Sequence, residues 1–221
     1  MTGRVYGPQD LARDLDVSRE TLTRLEAYGE TLVAWQARIN LVGPTTCADL
    51  WRRHMLDSGQ LMAFLPPPPQ GRARHLLDLG AGAGFPGLVL AILGAGQVHL
   101  VDADGRKCAF LRAAARAAGV SGMVAIHQAR VEKLAPFPVD VITARAFAPL
   151  PRLFALAAPF ASEETDWLLL KGQDVEEELT QASISWTMQV IKHESRSDPR
   201  GTIVQLKSLR LKKAVRHAGA S

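Results

Sequence analysis

Leu76-Leu77-Asp78-Leu79-Gly80-Ala81-Gly82-Ala83-Gly84-Phe85-Pro86-Gly87 is the stretch that decides how this chain of 221 residues folds. The residues leading into it, 74–79, are mostly apolar, free of interior Gly and Pro, and without helical period, which predicts a short buried strand. Gly80, Gly82 and Gly84 then alternate, and Pro86 opens an apolar run at 87–93 that reads as a helix. Strand, glycine turn and helix N-terminus in succession leave bare backbone N–H groups where ligand atoms can approach closely. A dinucleotide fingerprint spaces its glycines G-x-G-x-x-G to seat a pyrophosphate on the helix end. Here the spacing is G-x-G-x-G, and Asp78 stands two residues ahead of the first glycine. A carboxylate there repels a pyrophosphate and attracts an ammonium group. A glycine turn without a ligand is the plain alternative, and the strand–turn–helix setting argues against it.

From residue 73 onward, strand and helix signals alternate, which predicts a doubly wound parallel sheet. Strands are expected at 97–102, 124–127, 139–143 and 167–171, with helices at 106–118, 150–161 and 174–183. A pair of strands at 187–192 and 202–207 closes the domain instead of another strand–helix–strand unit. Upstream, residues 8–15 read as a short helix and 18–39 as a longer one, capped by Ser18. Leu22, Leu25, Tyr28, Leu32, Trp35 and Ile39 give it one apolar stripe. Thr46 and Asp49 resemble a capping box for a third helix over 48–64, which Pro66 to Pro69 end as a stiff linker. The expected organisation is a helical extension over 1–70, an α/β domain over 71–209 and a basic tail over 210–221.

The length suits one α/β domain with a small appendage. A net charge of +4 leans mildly towards polyanionic partners. Cys47 and Cys108 stand far apart and outside any metal spacing, so a reducing cytoplasm and no metal are expected. No stretch reads as a signal peptide or a membrane span, and a soluble protein is expected.

In an open parallel sheet the ligand lies outside the carboxyl ends of the strands. Asp102 ends the second strand about 20 residues past the glycine loop, where an acid accepts ribose hydroxyls. Its competing role, capping the next helix, suits Asp104 better. Residues 128–132 follow the third strand, where an adenine edge would lie, and Glu132 is either an acceptor there or an exposed helix-start acid. Arg145 leaves the fourth strand at the ligand edge, which is costly without an anionic or aromatic partner. Phe85 has only the ligand or the N-terminal helices to pack against, and Lys171 ends the fifth strand at the same edge.

The hhDhGxGxG pattern resembles motif I of the seven-stranded S-adenosylmethionine methyltransferases. Further pieces make the resemblance specific. They are Asn40-Leu41-Val42, Arg53-His54-Met55-Leu56-Asp57-Ser58, the run from Asp78 to Gly87, Lys107, Phe110-Leu111, Arg145-Ala146 and Lys171-Gly172. On these the chain resembles the RsmG family, also called glucose-inhibited division protein B, from about residue 34 to 207. The resemblance implies a Rossmann-like seven-stranded methyltransferase fold, mostly parallel with the last strand antiparallel, behind an N-terminal helical extension. It implies S-adenosyl-L-methionine as cofactor and methylation of N7 of guanine 527 in 16S ribosomal RNA. Residues matching Gly80, Phe85, Val131, Glu132 and Arg145 contact the cofactor in that family, and Asp78, Gly82, Gly84 and Asp102 complete the candidate set. Two departures stand out: Asp102 where glutamate is commoner, and Lys107-Cys108 where a basic pair is usual.

Methyl transfer to guanine N7 uses a lone pair already available at neutral pH, so no catalytic base is expected and alignment carries the reaction. The sequence agrees: Pro66 to Pro69 follow Leu65 and precede Gln70, outside the Asn/Asp-Pro-Pro-aromatic motif, and neither cysteine follows a proline. For 16S RNA or the small ribosomal subunit as partner, the candidate contacts are Arg53, His54, Arg145, Lys171 and Arg200, within basic islands at 52–54, 193–200 and 207–216. His54 and Asp57 share a helix face and form either a buried structural pair or a substrate contact. A monomer is expected. The rival function is a regulatory protein that binds the cofactor or a nucleotide without catalysis.

Overall fold

The structure, a computed structural model, describes residues 5–212. Seven strands form one sheet: β1 (His75–Leu79), β2 (Gln97–Asp102), β3 (Val124–Gln128), β4 (Val141–Arg145), β5 (Asp166–Lys171), β6 (Trp186–Glu194) and β7 (Thr202–Leu211). Their order is β3-β2-β1-β4-β5-β7-β6. β1 to β5 pair in parallel, and β7 runs antiparallel to both β5 and β6. The seven-stranded, mostly parallel sheet that the resemblance implies is therefore the one observed. Strand order reverses between β1 and β4, so their carboxyl ends frame the crevice where this class of sheet takes its ligand. β4 starts and ends two residues later than expected, and Arg145 is its last residue instead of following it.

Eight α-helices are described: α1 (Pro8–Leu15), α2 (Arg19–Gln36), α3 (Pro44–Cys47), α4 (Asp57–Gly59), α5 (Gly87–Ile92), α6 (Gly105–Ala117), α7 (Leu150–Ala157) and α8 (Val175–Ser185). Alternating strand residues divide the core. Leu76, Val98 and Leu100 pack with Leu88, Phe110 and the stripe of α2, whereas Leu77, Ile142 and Trp167 pack with Leu153 and Phe154 of α7. The N-terminal helices thus cover the α5–α6 face and share its core. Ser18 caps α2 as expected, its hydroxyl accepting the Thr21 N–H at 3.1 Å. The helix stops at Gln36, because that side chain turns back to accept the N–H groups of Leu41 (3.0 Å) and Val42 (3.1 Å).

The third expected helix is broken. Thr46 sits inside α3 and donates to the Gly43 carbonyl, so it is no cap. Then come a π-helical stretch, Trp51–Leu56, the single turn α4 and a 3-10 turn, Gln60–Phe64. Tertiary contacts override the local period here. Arg52 donates to the Ser197 carbonyl (3.2 Å), Arg53 pairs with Asp198, and Gln60 accepts the Arg196 N–H (2.8 Å). All three tie this segment to the β6–β7 connection. π-helical turns widen a helix to re-aim side chains and recur at functional sites. β7 runs on to Leu211, into the stretch expected as tail; Arg210 pairs with Glu163 and Lys212 donates to the Ser183 carbonyl. The rest of that tail, from residue 213, lies outside the described residues.

Three histidines cross the sheet as a diagonal ladder, from the first residue of β1 through the third of β2 to the fourth of β3. His75 and His99 approach at 3.2 Å, His99 and His127 at 3.0 Å, with Phe137 stacked on His127 and tilted against His99. Burial, then the neighbouring His127 and His75, pull His99 down to about 4, and burial lowers His127 as well. The folded state therefore resists protonation, so this contribution is complete above the unfolded value near 6.5 and is lost as pH falls towards 4. The melting temperature is expected to fall over that window, and to fall less in His99→Gln. Parallel melting profiles for the two proteins would show that the ladder is not the cause.

Candidate functional site

β1 delivers Asp78 to the floor of the glycine loop, fully buried. One carboxylate oxygen accepts the Gly87 N–H at 3.0 Å and the other accepts the Thr143 hydroxyl at 2.8 Å. Burial pushes its pKa up to about 7 against the pull of those two donors. Asp78 thus ties the start of α5 to β4 from beneath the loop. Gly87 has to be glycine for the same reason, since a Cβ would lie 2.7 Å from the Asp78 side chain. Above, Gly80, Gly82 and Gly84 all take left-handed backbone, with φ of 67°, 54° and 92°. The Gly82 N–H is held by Asp102 at 2.9 Å, and the second Asp102 oxygen holds the Asp104 N–H at 2.8 Å. From α2, Tyr28 donates its hydroxyl to the Ala83 carbonyl, so the N-terminal extension fixes the loop directly.

Two cavities open beside the loop and share residues 146–148 as a wall. The smaller, about 410 Å³, is lined by Gly80, Asp102, Ala129, Val131 and Glu132 among others, at the ends of β1, β2 and β3. The larger, about 680 Å³, is lined by Arg53, Asp57, Arg145, Lys171 and Arg200 and by the β6–β7 connection. Phe147 is the partition: a Cβ on Gly80 would stand 2.5 Å from its ring. Ala146 beside it has φ of 50°, a conformation that costs a non-glycine residue about 1–3 kcal/mol and gathers at binding sites.

Arg145 lines the larger cavity, next to the shared wall. Its Nη1 lies 2.8 Å from His54 Nδ1, 3.3 Å from the Arg53 carbonyl and 3.5 Å from Asp57, with the guanidinium 4.8 Å from the centre of the Phe85 ring. His54 stacks on the same Phe85 ring, with centres 4.9 Å apart. Burial, with Arg145 and Arg53 nearby, drives the His54 pKa down to about 3, so the ring is neutral. Nδ1 accepts from the guanidinium, which leaves the proton on Nε2, a buried donor without a partner among the described residues. Asp57 accepts the Ser197 hydroxyl at 2.6 Å, so the cluster is anchored on both sides.

The structure brings most of the expected residues to one crevice. Gly80, Asp102, Val131 and Glu132 share the smaller cavity; Arg53, Arg145, Lys171 and Arg200 share the larger. Phe85 packs against Tyr28, His54 and Arg145, and is 3% exposed. The Cβ position of Gly84 faces Leu88, Tyr28 and Leu111, inward to the core. Lys171 pairs with Glu178 at 2.6 Å and donates to the Ala148 carbonyl at 2.9 Å, holding the wall between the cavities. Sequence reasoning missed Thr143, Phe147 and the anchoring role of Tyr28. The hydroxyl of Tyr28, alone in an otherwise apolar stripe, was the available signal. Nothing local marks Phe147, and Ala146 stood out only as part of the Arg145-Ala146 pair that carries the resemblance.

A scan of protein families matches residues 21–205 to the profile described as GidB, rRNA small subunit methyltransferase G. A protein of Rhodospirillum rubrum named ribosomal RNA small subunit methyltransferase G is 57% identical over 90% of this chain and 96% of its own length. One of the same name from Paramagnetospirillum magneticum is 50% identical over 92% of this chain and 96% of its own. Among solved structures, an O-methyltransferase from Bacillus cereus in complex with SAH superposes with a TM-score of 0.58 at 15% identity, covering 90% of this chain and 96% of that one. A mutant of MtNAS in complex with S-adenosylmethionine gives 0.56 at 14% identity, over 93% and 85%. At such identities these two bear on the fold alone.

Proposed function

Since this chain belongs to the rRNA small subunit methyltransferase G family, we propose that it methylates N7 of guanine 527 in 16S ribosomal RNA, with S-adenosyl-L-methionine as donor. The observation that carries the reading is the pair of cavities that share the 146–148 wall, with Arg145 lining the larger one next to it. The smaller suits an adenosine-bearing cofactor: it has a carboxylate at the ribose position and a glycine wall that a Cβ would fill. When bound, S-adenosyl-L-methionine supplies an electrophilic methyl group on its sulfonium. Asp102, Gly80, Gly82, Gly84, Val131 and Glu132 hold the cofactor, and Asp78 acts from below by fixing the loop. Phe85 and Arg145 close the methionine side.

The chain's remaining work is orientation. Guanine N7 offers its lone pair without losing a proton, so no side chain has to act as base, and holding the reacting atoms in line contributes about 7–11 kcal/mol in favourable cases. Arg145 presents a planar donor array to the incoming base, and the neutral His54 fixes its plane. The unpartnered His54 Nε2–H suits an acceptor atom on either ligand. Arg53, Lys171 and Arg200 line the cavity that receives the base. The compartment such a substrate implies is the cytoplasm.

Incubation with labelled S-adenosyl-L-methionine and undermethylated 16S RNA or small subunits tests the reading, with the label mapped by nuclease digestion and mass spectrometry. Label in 7-methylguanosine at position 527 is expected. Cofactor binding without transfer to RNA at any stage of subunit assembly would favour a regulatory binding protein instead.

A further inference from the structure

The cations of the larger cavity are already spoken for. Arg53 and Arg200 both pair with Asp198, Lys171 with Glu178, and Arg145 with Asp57. A cation closed on its own carboxylate releases few counterions when a phosphate arrives, so these four are poor anchors for a nucleic-acid backbone. The rim of the smaller cavity differs. Lys107 of α6, Arg130 after β3 and Arg152 of α7 line it from three separate elements. None of the three makes an ion pair or a side-chain hydrogen bond among the described residues. Arg130 and Arg152 are exposed and Lys107 half-buried, so phosphates can reach them without displacing packed groups.

The acids at this rim are fewer than the cations and pair with none of them. Asp102, which accepts the Gly82 and Asp104 N–H groups, and Glu132 are the two carboxylates lining the cavity, against three cations. The charge also continues away from the mouth. Gly105–Ala117, which is α6, carries Lys107, Arg112 and Arg116 besides Arg106, which pairs with the N-cap Asp104, and no acid within it, whereas α8 at the far side of the sheet begins with Glu176, Glu177 and Glu178 in its first turn. A single unpaired surface cation usually signifies only solvated surface. Three converging on one mouth, backed by an acid-free helix and adjoining the cavity for the base, form a directed field.

We propose that Lys107, Arg130 and Arg152 form a phosphate-binding surface that holds the RNA backbone across the cofactor mouth, while its base enters the neighbouring cavity. The proposal rests on the function given above, and it divides the labour of the site. Paired cations shape the base cavity, and unpaired ones hold the strand.

The test is the triple variant Lys107→Gln, Arg130→Gln, Arg152→Gln, with affinity for a 16S RNA fragment measured by fluorescence anisotropy at several salt concentrations. Each single-strand phosphate contact contributes about 0.7 to the slope of log affinity against log salt, so a loss of roughly 2 is expected. The KM for RNA should rise at least about tenfold with no change in S-adenosyl-L-methionine affinity by calorimetry. An unchanged slope overturns the proposal, and so does a parallel loss of cofactor affinity, which would make these groups cofactor ligands. If the triple variant melts early, the three single variants decide, each expected to lose about 0.7 of slope. Wild-type protein that binds RNA with normal salt dependence but transfers no methyl group would defeat the proposed function and leave the phosphate surface standing. Wild-type transfer with an unchanged slope in the variant would defeat the phosphate surface alone.

Discussion

Arg145→Lys is expected to lose at least about tenfold in kcat/KM for methyl transfer, equivalent to about 1.4 kcal/mol of transition-state stabilisation, with a smaller loss in cofactor affinity. Charge is conserved in this variant and geometry is not. The guanidinium meets His54 Nδ1, the Arg53 carbonyl, Asp57 and the face of Phe85 together, from the end of β4. A lysine is a point donor on a flexible stem and cannot hold that fork. It would also leave His54 Nδ1 buried without a donor, at a cost of about 1–3 kcal/mol in stability. Melting curves and single-turnover rates therefore have to be read together. Wild-type turnover in a variant with wild-type affinity for both substrates would remove Arg145 from the site.

Gly82→Val should lower cofactor affinity by at least about a hundredfold, or about 2.7 kcal/mol, while the protein still folds. Gly82 has φ of 54°, where a β-branched residue is a genuine outlier, and the backbone penalty is about 1–2 kcal/mol. The new Cβ meets only the Gly80 carbonyl, at 3.6 Å, so no core group is displaced and folding survives. Relief of the strain shifts the Gly82 N–H away from Asp102, which frees that carboxylate from its 2.9 Å anchor. Calorimetric titration with S-adenosyl-L-methionine checks this against wild type. Undiminished affinity in a folded variant would mean that the loop is not the cofactor cradle.

The acid behaviour of the site has two opposing parts. His54, like the histidine ladder, is held neutral below its ordinary pKa, so its contribution is lost as pH falls from about 6.5 towards 3. Asp78 has the opposite sign: its raised pKa means that its contribution is fullest below the unfolded value of 3.8 and is lost as pH rises towards about 7. His54, His99 and His127 together outnumber Asp78, so net acid lability is expected.

The glycine stretch by itself determined the strand, the turn and the following helix, because a G-x-G-x-G run after a buried strand leaves few backbone solutions. Strict alternation of apolar runs and amphipathic helices likewise determined a doubly wound sheet, and its positions at the strand ends named Asp102 and Arg145. These are local signals, carried by period and by φ. Only the tertiary structure decided the rest. The π-helical turn over Trp51–Leu56 exists because Arg52, Arg53 and Gln60 answer to residues 195–198, more than a hundred positions away. Asp78 became a support under the loop because burial joined it to Thr143 of β4. Which cations are paired and which remain open to phosphate likewise follows from where Asp198 and Glu178 come to rest. Charge in a sequence has a sign but no partner until distant segments pack together, and the fold alone supplies that partner.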